Sequence, residues 1–190
     1  MAQVNVHVTM SLDGFMAGPD VSVEQPMGVG GERLHRWLFD GADEADAAAA
    51  RQQFALTTAV LLGRRTFDVG IGQWGGTPYP VPCFVLTHRP EPDRAEKEGT
   101  FTFVTTGLAD ALALARAAAG DGAVTVMGAD VTQQLLRAGL LDEIHLQIAP
   151  VLLGAGRRLF EHLGTDHIEL EQLGAHQSAQ VTHARFRVVK

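Results

Sequence analysis

The chain has 190 residues, of which 46% are hydrophobic and 19% are charged, and its formal net charge is −7. That length and composition are typical of a globular domain with a substantial core, and we predict a single domain over residues 1–190. The negative charge argues against a general binder of nucleic acid or of anionic membranes, so any anion site must be local. The single cysteine, Cys83, excludes an intrachain disulfide and a thiolate metal cluster.

The first ten residues alternate apolar and polar side chains and lack the basic segment followed by an apolar one that marks a signal peptide. Apolar runs stay well short of the roughly 18 residues needed to span a bilayer. We therefore expect a cytoplasmic protein with no membrane partner.

Hydrophobic periodicity predicts the secondary structure. In chain order, we predict a strand at 4–10, helices at 32–39 and 44–56, a strand at 57–62, a helix that begins after Gly63, strands at 83–87 and 100–105, a helix at 108–119, a strand at 123–127, a helix at 129–138, and strands at 143–153, 167–173 and 179–189. Strands alternate with helices early and follow one another late. This order predicts an α/β fold with a mainly parallel sheet and a late antiparallel edge.

Two long segments rich in glycine and proline, 17–31 and 70–82, are predicted to be loops that serve as lids or line a binding site. The second begins with Gly-Ile-Gly-Gln-Trp-Gly, which matches the G-x-G-x-x-G pattern of dinucleotide-binding proteins. That fingerprint requires a strand before the glycines and a helix after them, and here a helical segment precedes them. We therefore interpret 70–75 as a loop, and we find no Walker motif either.

Three junctions where a predicted strand ends carry residues suited to binding an anion. Arginine can pair with a phosphate through two hydrogen bonds, and the first turn of a helix presents free N–H groups. Basic residues beyond a strand are often simply solvated, but consecutive parallel strands bring their carboxyl ends to one sheet edge, where ligands bind. The three groups are Gly63, Arg64, Arg65 and Thr66; Thr87, His88 and Arg89; and Met127, Gly128, Ala129, Asp130 and Val131.

Asp13 directly follows the first strand and either caps a turn or lines the cleft. The eight histidines show no spacing typical of metal ligands, so no metal site is predicted. Pro82 and Cys83 are not followed by the second cysteine of a P-C-x-x-C motif, which excludes a zinc deaminase.

Five stretches resemble the dihydrofolate-reductase-like superfamily, and in particular the family of the reductase domain at the C-terminus of riboflavin-biosynthesis (RibD) proteins. They are VTMSLDGFMAGPD at 8–20, LLGRRTFD at 61–68, FVLTHRP at 84–90, VMGADVTQQLLRAGLLDEIHLQIAPVLLGAGRRLF at 126–160, and the terminal ARFRVV. The most specific is the fourth, with its P-V-L-L-G-x-G-x-x-L-F ending. Together they extend over the whole chain.

The resemblance implies a three-layer α/β/α fold with about eight strands in a mixed, mostly parallel sheet, and NADP(H) bound at the strand ends. It implies that Gly63, Arg64, Arg65 and Thr66 hold the phosphate end of the cofactor and that Thr87, His88 and Arg89 lie at the adenosine 2′-phosphate. Gly128, Ala129, Asp130 and Val131 would cradle the pyrophosphate, and Met16, Ala17 and Gly18 would approach the nicotinamide.

One position departs from the family pattern, because Met127 stands where members usually have the first of two glycines. In dihydrofolate reductases that pair adopts a cis peptide bond, which after a methionine costs about 2.5–4 kcal/mol. Either that cis bond persists here or the turn differs. Asp130 adds a negative charge at the same turn, and we expect its side chain to face away from a phosphate or to cap the helix.

The function that follows from the resemblance is hydride transfer from NADPH to a small heterocyclic substrate, such as a riboflavin precursor or a pterin. The cofactor supplies the chemistry, so the chain needs to provide binding, orientation and at most a proton donor. The predicted catalytic donor is Asp13, with Glu32, His35 and Asp40 as alternatives. A nucleotide-binding sensor without turnover, and a scaffold in which the basic residues only solvate helix starts, remain as other readings. The resemblance also favours a homodimer.

Overall fold

The computed structural model describes residues 2–40 and 44–190. Its elements are β1 (Gln3–Ser11), β2 (Phe15–Ala17), a 3-10 helix (Gly31–His35), α1 (Arg36–Phe39), α2 (Glu44–Leu56), β3 (Thr57–Gly63), α3 (Arg64–Trp74), β4 (Cys83–Leu86), β5 (Arg94–Ala95), β6 (Thr100–Val104), α4 (Leu108–Ala119), β7 (Ala123–Met127), α5 (Ala129–Arg137), β8 (Glu143–Ala149), β9 (Arg157–Arg158), β10 (Leu170–Gln177) and β11 (Thr182–Val188). Every helix in these ranges is too short or too polar to cross a membrane.

One sheet organises the fold, and in the described residues it has nine strands in the order β10-β11-β8-β1-β7-β3-β4-β6-β5. The pairs from β8 to β6 are parallel, whereas β11 runs antiparallel to both β8 and β10. The predicted mixed sheet with a late antiparallel edge is confirmed. Because the central strands are parallel, their carboxyl ends lie together at one edge.

The two-residue alternation of β1 creates two different faces. Val4, Val6 and Val8 are buried in the main hydrophobic cluster, which also contains side chains of α4 and α5. The intervening residues, among them His7 and Thr9, face the opposite layer. A second cluster covers that layer near α3 and a third surrounds Trp37, so helices pack on both faces of the sheet.

Several predicted boundaries moved for local reasons. The strand predicted at 143–153 ends at Ala149, because the following Pro150 has no N–H to donate to a neighbouring strand. The helix predicted at 32–39 is a 3-10 turn that continues into α1. The strand predicted at 167–173 is shifted to Leu170–Gln177.

The interpretation of 70–75 as a loop is wrong, since α3 continues to Trp74. A Cβ atom at Gly70 would lie 2.1 Å from Cζ2 of Trp74, so the missing side chain lets the indole fold back over the helix. Trp74 in turn stacks on Phe101, with ring centroids 6.5 Å apart. Gly75 follows in a left-handed conformation (φ 66°) and ends the helix. These glycines therefore serve helix packing and helix termination, and the second long loop starts only after Trp74.

We predict opposite effects for alanine at two glycines of α3. Gly70→Ala should lower the free energy of unfolding by about 1–3 kcal/mol, because the new methyl group displaces Trp74 from Phe101. Gly72 has open space around its Cα and is exposed, so Gly72→Ala should stabilise the protein by about 0.5–1 kcal/mol through its effect on backbone entropy. Urea denaturation followed by tryptophan fluorescence measures both, and stabilisation by both substitutions contradicts the packing argument.

Candidate functional site

The smaller of two neighbouring cavities lies at the carboxyl ends of β3, β4 and β7. Its volume is about 340 Å³. It is lined by Gly63, Arg64, Arg65, Thr66, Leu86, Thr87, His88, Arg89, Gly107, Leu108, Met127, Gly128, Asp130, Val131 and Gln134.

Three helix N-termini converge on this smaller cavity. Gly63, Gly107 and Gly128 occupy the N-cap positions of α3, α4 and α5, and in the described part of the chain none of these helices has a side-chain cap. Their first-turn N–H groups and positive dipole ends therefore favour an anion. The contribution of α4 was missed in the sequence, although Gly107 follows a predicted strand just as Gly63 does.

Two carboxylates hold the arginines of the smaller cavity in place. Asp68 accepts hydrogen bonds from Arg64 Nε (2.7 Å) and from Arg89 Nη2 (3.0 Å), and Arg64 Nη1 donates to Glu91. The Arg64 guanidinium also lies 5.6 Å from the ring centroid of Phe67. Neither carboxylate lines the cavity. Since a guanidinium has five N–H donors, both arginines keep donors for a ligand while they are fixed from behind.

The turn at Met127 and Gly128 differs from the cis form found in dihydrofolate reductases, which was one of the two possibilities considered from the sequence. No peptide bond among the described residues is cis, and Gly128 has a φ of 93°. A Cβ atom at Gly128 would lie 2.3 Å from Thr66 Oγ1, so the glycine also permits the close approach of α5 to α3.

Asp130 follows this turn but does not cap α5, whose N-cap is Gly128. Its carboxylate is paired with the Arg157 guanidinium, and the residue lines both cavities. The prediction that Asp130 caps α5 is therefore wrong, and the prediction that its side chain faces away from a phosphate stays a prediction. The ion pair offsets its negative charge at the helix N-terminus.

The larger cavity, of about 1060 Å³, continues from the smaller one. Both are lined by Arg65, Thr66, Met127, Gly128 and Asp130, so together they form one cleft. Residues 18–21 and 24–27 of the first long loop also line it, as predicted for a binding loop. This loop is closed by backbone hydrogen bonds from Gly18 N to Met27 O and from Val29 N to Pro19 O, both 2.8 Å.

Aromatic side chains form much of the wall of the larger cavity. They are Trp37, Phe39, Phe54, Trp74 and Tyr79, which include both tryptophans and the only tyrosine of the chain. Hydrogen bonds fix two of them, because Trp37 Nε1 donates to Thr9 Oγ1 (3.0 Å) and Gln53 Nε2 donates to the Tyr79 hydroxyl (2.5 Å). These hydrogen bonds hold part of the aromatic surface in position.

Two imidazoles, from His7 on β1 and His35 on the 3-10 helix, also line the larger cavity. Burial, with smaller contributions from His145 and Arg185, lowers the pKa of His7 to about 3. The His145 ring centroid lies 4.2 Å from that of His7, and its Nε2 atom is 2.8 Å from Glu143 Oε2. Burial likewise lowers the pKa of His35. Both side chains are therefore neutral at pH 7.

The sequence model of the RibD C-terminal domain family matches residues 2–184. The chain belongs to this family. It is similar to the uncharacterized protein YwjB of Bacillus subtilis, with 25% identity over 182 residues and 95% of each chain covered.

Two solved structures share the fold of this RibD C-terminal domain. A putative riboflavin biosynthesis protein from Shewanella sp. PV-4 has a TM-score of 0.76 and 22% identity, with both chains fully covered. Dihydrofolate reductase from Enterococcus faecalis, complexed with NADP(H), has a TM-score of 0.62 and 14% identity, with 99% and 97% covered. The dihydrofolate-reductase-like fold is thus confirmed.

Every residue predicted to bind the cofactor lines one of the two cavities of this RibD C-terminal domain. The groups at 63–66, 87–89 and 127–131 surround the smaller cavity or its boundary with the larger one. Met16, Ala17 and Gly18 line the larger cavity. The structure therefore brings the predicted residues together, and their individual contacts with a cofactor stay predictions.

The predicted proton donor Asp13 lines neither cavity. Its carboxylate accepts hydrogen bonds from the Ser11 hydroxyl (2.6 Å) and from the main-chain N–H groups of Gly154 (2.8 Å) and Leu153 (3.1 Å). These bonds, led by that from Ser11, lower the pKa of Asp13 to about 2. A carboxylate ionised at neutral pH is a poor proton donor, so this geometry argues for the turn-capping role of Asp13 and against the donor role.

Of the three other proton donors considered from the sequence, the structure places two at the larger cavity and one outside both cavities. Asp40 is exposed, lies 3.8 Å from Arg36 and lines neither cavity. Glu32 and His35 both line the larger cavity.

We predict that Asp13→Asn lowers the melting temperature at pH 7 and leaves cofactor affinity unchanged. The pKa of Asp13 is lowered by folding, so its ionised form stabilises the fold above pH 4 or so, and this contribution is lost as the pH falls toward about 2. The difference in melting temperature between the wild type and Asp13→Asn should therefore shrink as the pH falls from about 4 toward about 2. Asp121→Asn, in an exposed turn, is the control. If Asp13→Asn melts like the wild type but has lost its catalytic activity, Asp13 is the proton donor after all.

Proposed function

We propose that this protein is an NADPH-dependent reductase that transfers a hydride to a small heterocyclic molecule, such as a pterin or a riboflavin-precursor ring, held in the larger cavity. The observation that carries the proposal is the continuous cleft. At one end, three uncapped helix N-termini and arginine side chains suit the phosphates of a nucleotide. At the other end, aromatic walls suit a flat ring.

The residues of the smaller cavity fit the phosphate groups of NADPH. The helix starts at Gly63 and Gly128 would hold the pyrophosphate, while Arg64, His88 and Arg89 would hold the adenosine 2′-phosphate. The donor set supports this, because it combines main-chain N–H groups with guanidinium groups in an otherwise acidic protein. The solved dihydrofolate reductase that shares this fold is a complex with NADP(H).

When bound, the nicotinamide supplies the hydride, and the chain supplies position and exclusion of water. The shared boundary at Thr66 and Met127 would place the cofactor's reactive end toward the larger cavity, against Met16, Ala17 and Gly18. The hydrogen-bonded loop at 18–30 covers that region and would shield the reacting atoms from solvent. Glu32 and His35 are the predicted donors that remain near the substrate.

Fluorescence titration with NADPH and NADH tests the proposal, since Trp37 and Trp74 both line the larger cavity. We expect saturable binding of NADPH and its oxidation with a pterin or flavin-precursor substrate. Binding without oxidation across such substrates supports instead a nucleotide-binding sensor without turnover. If neither nucleotide binds, both functions are excluded and the basic residues serve only to solvate helix starts.

We predict that Arg64→Ala combined with Arg89→Ala weakens NADPH binding by roughly 30-fold or more and NADH binding by less than about threefold. A charge-assisted hydrogen bond contributes about 1.5–3 kcal/mol, and only NADPH carries the 2′-phosphate. The matched control is Arg51→Ala with Arg187→Ala, two exposed, ion-paired arginines outside both cavities. Equal losses for the two nucleotides would refute the assignment of the 2′-phosphate site.

A further inference from the structure

We propose that the larger cavity selects an unphosphorylated, uncharged planar heterocycle whose polar edge is hydrogen-bonded by His7 and His35. This inference rests on the proposed function, because it identifies the larger cavity as the substrate site. It narrows the substrate class to molecules that bring no phosphate of their own into the cleft.

The unused hydrogen-bonding capacity of the two imidazoles is the first argument. Within the described residues neither ring has a hydrogen-bond partner, and both residues line the larger cavity; the Nδ1 atom of His35 is enclosed by protein, so the rest of that ring is what meets a ligand. Buried polar groups are nearly always paired in folded proteins, so an unpaired one needs an explanation. A ligand with its own donors and acceptors supplies the missing partner.

The neutral state of these imidazoles decides what they can bind. A neutral imidazole donates one hydrogen bond and accepts another, which suits the adjacent N–H and C=O groups at the edge of a pyrimidine or pterin ring. It lacks the positive charge that makes a phosphate site strong. His145 lies beside His7 on the neighbouring strand β8 and is paired with Glu143, so it does not take up the hydrogen-bonding capacity of His7, which lines the cavity.

The charges around the larger cavity are the second argument. Its acidic residues Asp20, Glu24 and Glu32 lack a guanidinium partner among the described residues. Arg157 is paired with Asp130, and Arg65 stands at the boundary with the smaller cavity. A phosphate group on the substrate would therefore meet net negative charge in the larger cavity. The smaller cavity, in contrast, offers three arginines to the phosphates of the cofactor.

Matched pairs of molecules that differ by one phosphate test the inference. With the protein saturated in NADP⁺, we measure binding of riboflavin and FMN, of neopterin and its monophosphate, and of uridine and UMP. For at least one pair, the unphosphorylated member should bind at least about tenfold more tightly, a difference equivalent to 1.4 kcal/mol. Equal binding within all three pairs, tighter binding of the phosphorylated member in any pair, or binding of no member overturns the proposal.

Substitutions at the imidazoles test their role. His7→Leu and His35→Leu should each weaken the preferred ligand by about three- to tenfold, the range expected for one hydrogen bond between neutral groups, and leave the affinity for NADPH within twofold. His7→Gln and His35→Gln keep a donor and an acceptor and should retain most of the affinity, so they also serve if a leucine variant fails to fold. His167→Leu, exposed and outside both cavities, is the control. Unchanged ligand affinity in the folded leucine variants contradicts the proposal.

The two proposals fail in distinguishable ways. If NADPH binds but no heterocycle does, the inference about the larger cavity is wrong and the nucleotide site stands. If NADPH does not bind, the proposed function itself fails. Asp20→Asn with Glu24→Gln adds a further check, because removing two negative charges should raise the affinity of the phosphorylated members severalfold and leave that of the others unchanged.

Discussion

The contact between Gly128 and Thr66 is the constraint on which the cleft depends. These residues lie in the first turns of two neighbouring strand-to-helix units, and any side chain at position 128 would lie against the Thr66 hydroxyl. Because the helices approach so closely, their N–H groups face one common space. Both residues also line both cavities, so the same contact joins the anion site to the aromatic cavity.

Local electrostatics let an acidic protein build an anion site. The chain carries a net charge of −7, yet Arg64 and Arg89 meet at the same sheet edge, each held by Asp68. Fixing two long side chains in the free protein reduces the entropy lost when a ligand binds. Asp68 and Glu91 lower the net positive charge of the site. The main-chain N–H groups of three helix N-termini add hydrogen-bond donors that offset this loss.

Much of the nucleotide end of the cleft could be predicted from the sequence, because each binding group directly follows a strand. The bounds of α4 (Leu108–Ala119) agree with the sequence prediction, and the three predicted strand ends meet as expected. The segment 70–75 was wrongly predicted to be a loop because it is rich in glycine, whereas these glycines accommodate Trp74 and end α3. Only the three-dimensional packing distinguishes these uses.

The larger cavity was much harder to predict. Its walls include Trp37 of α1, Phe54 of α2 and Tyr79 of the segment before β4, which are distant in sequence and line one cavity only in the folded chain. His7 did leave a signal, since a polar residue recurs at every second position of β1 in the centre of the sheet. That alternation indicates a polar face, but it does not reveal whether a helix or a cavity covers it.

The attachment of α2 has a consequence for how a bulky molecule reaches the cleft. This helix is largely exposed, and Asp46 is the residue that it buries, 2.7 Å from His183 of β11. Gln53 and Phe54 join its other end to Tyr79. A segment with so few buried apolar contacts detaches at a lower free energy than the sheet unfolds. One wall of the larger cavity can thus open by local unfolding while the strands that carry the nucleotide site stay folded.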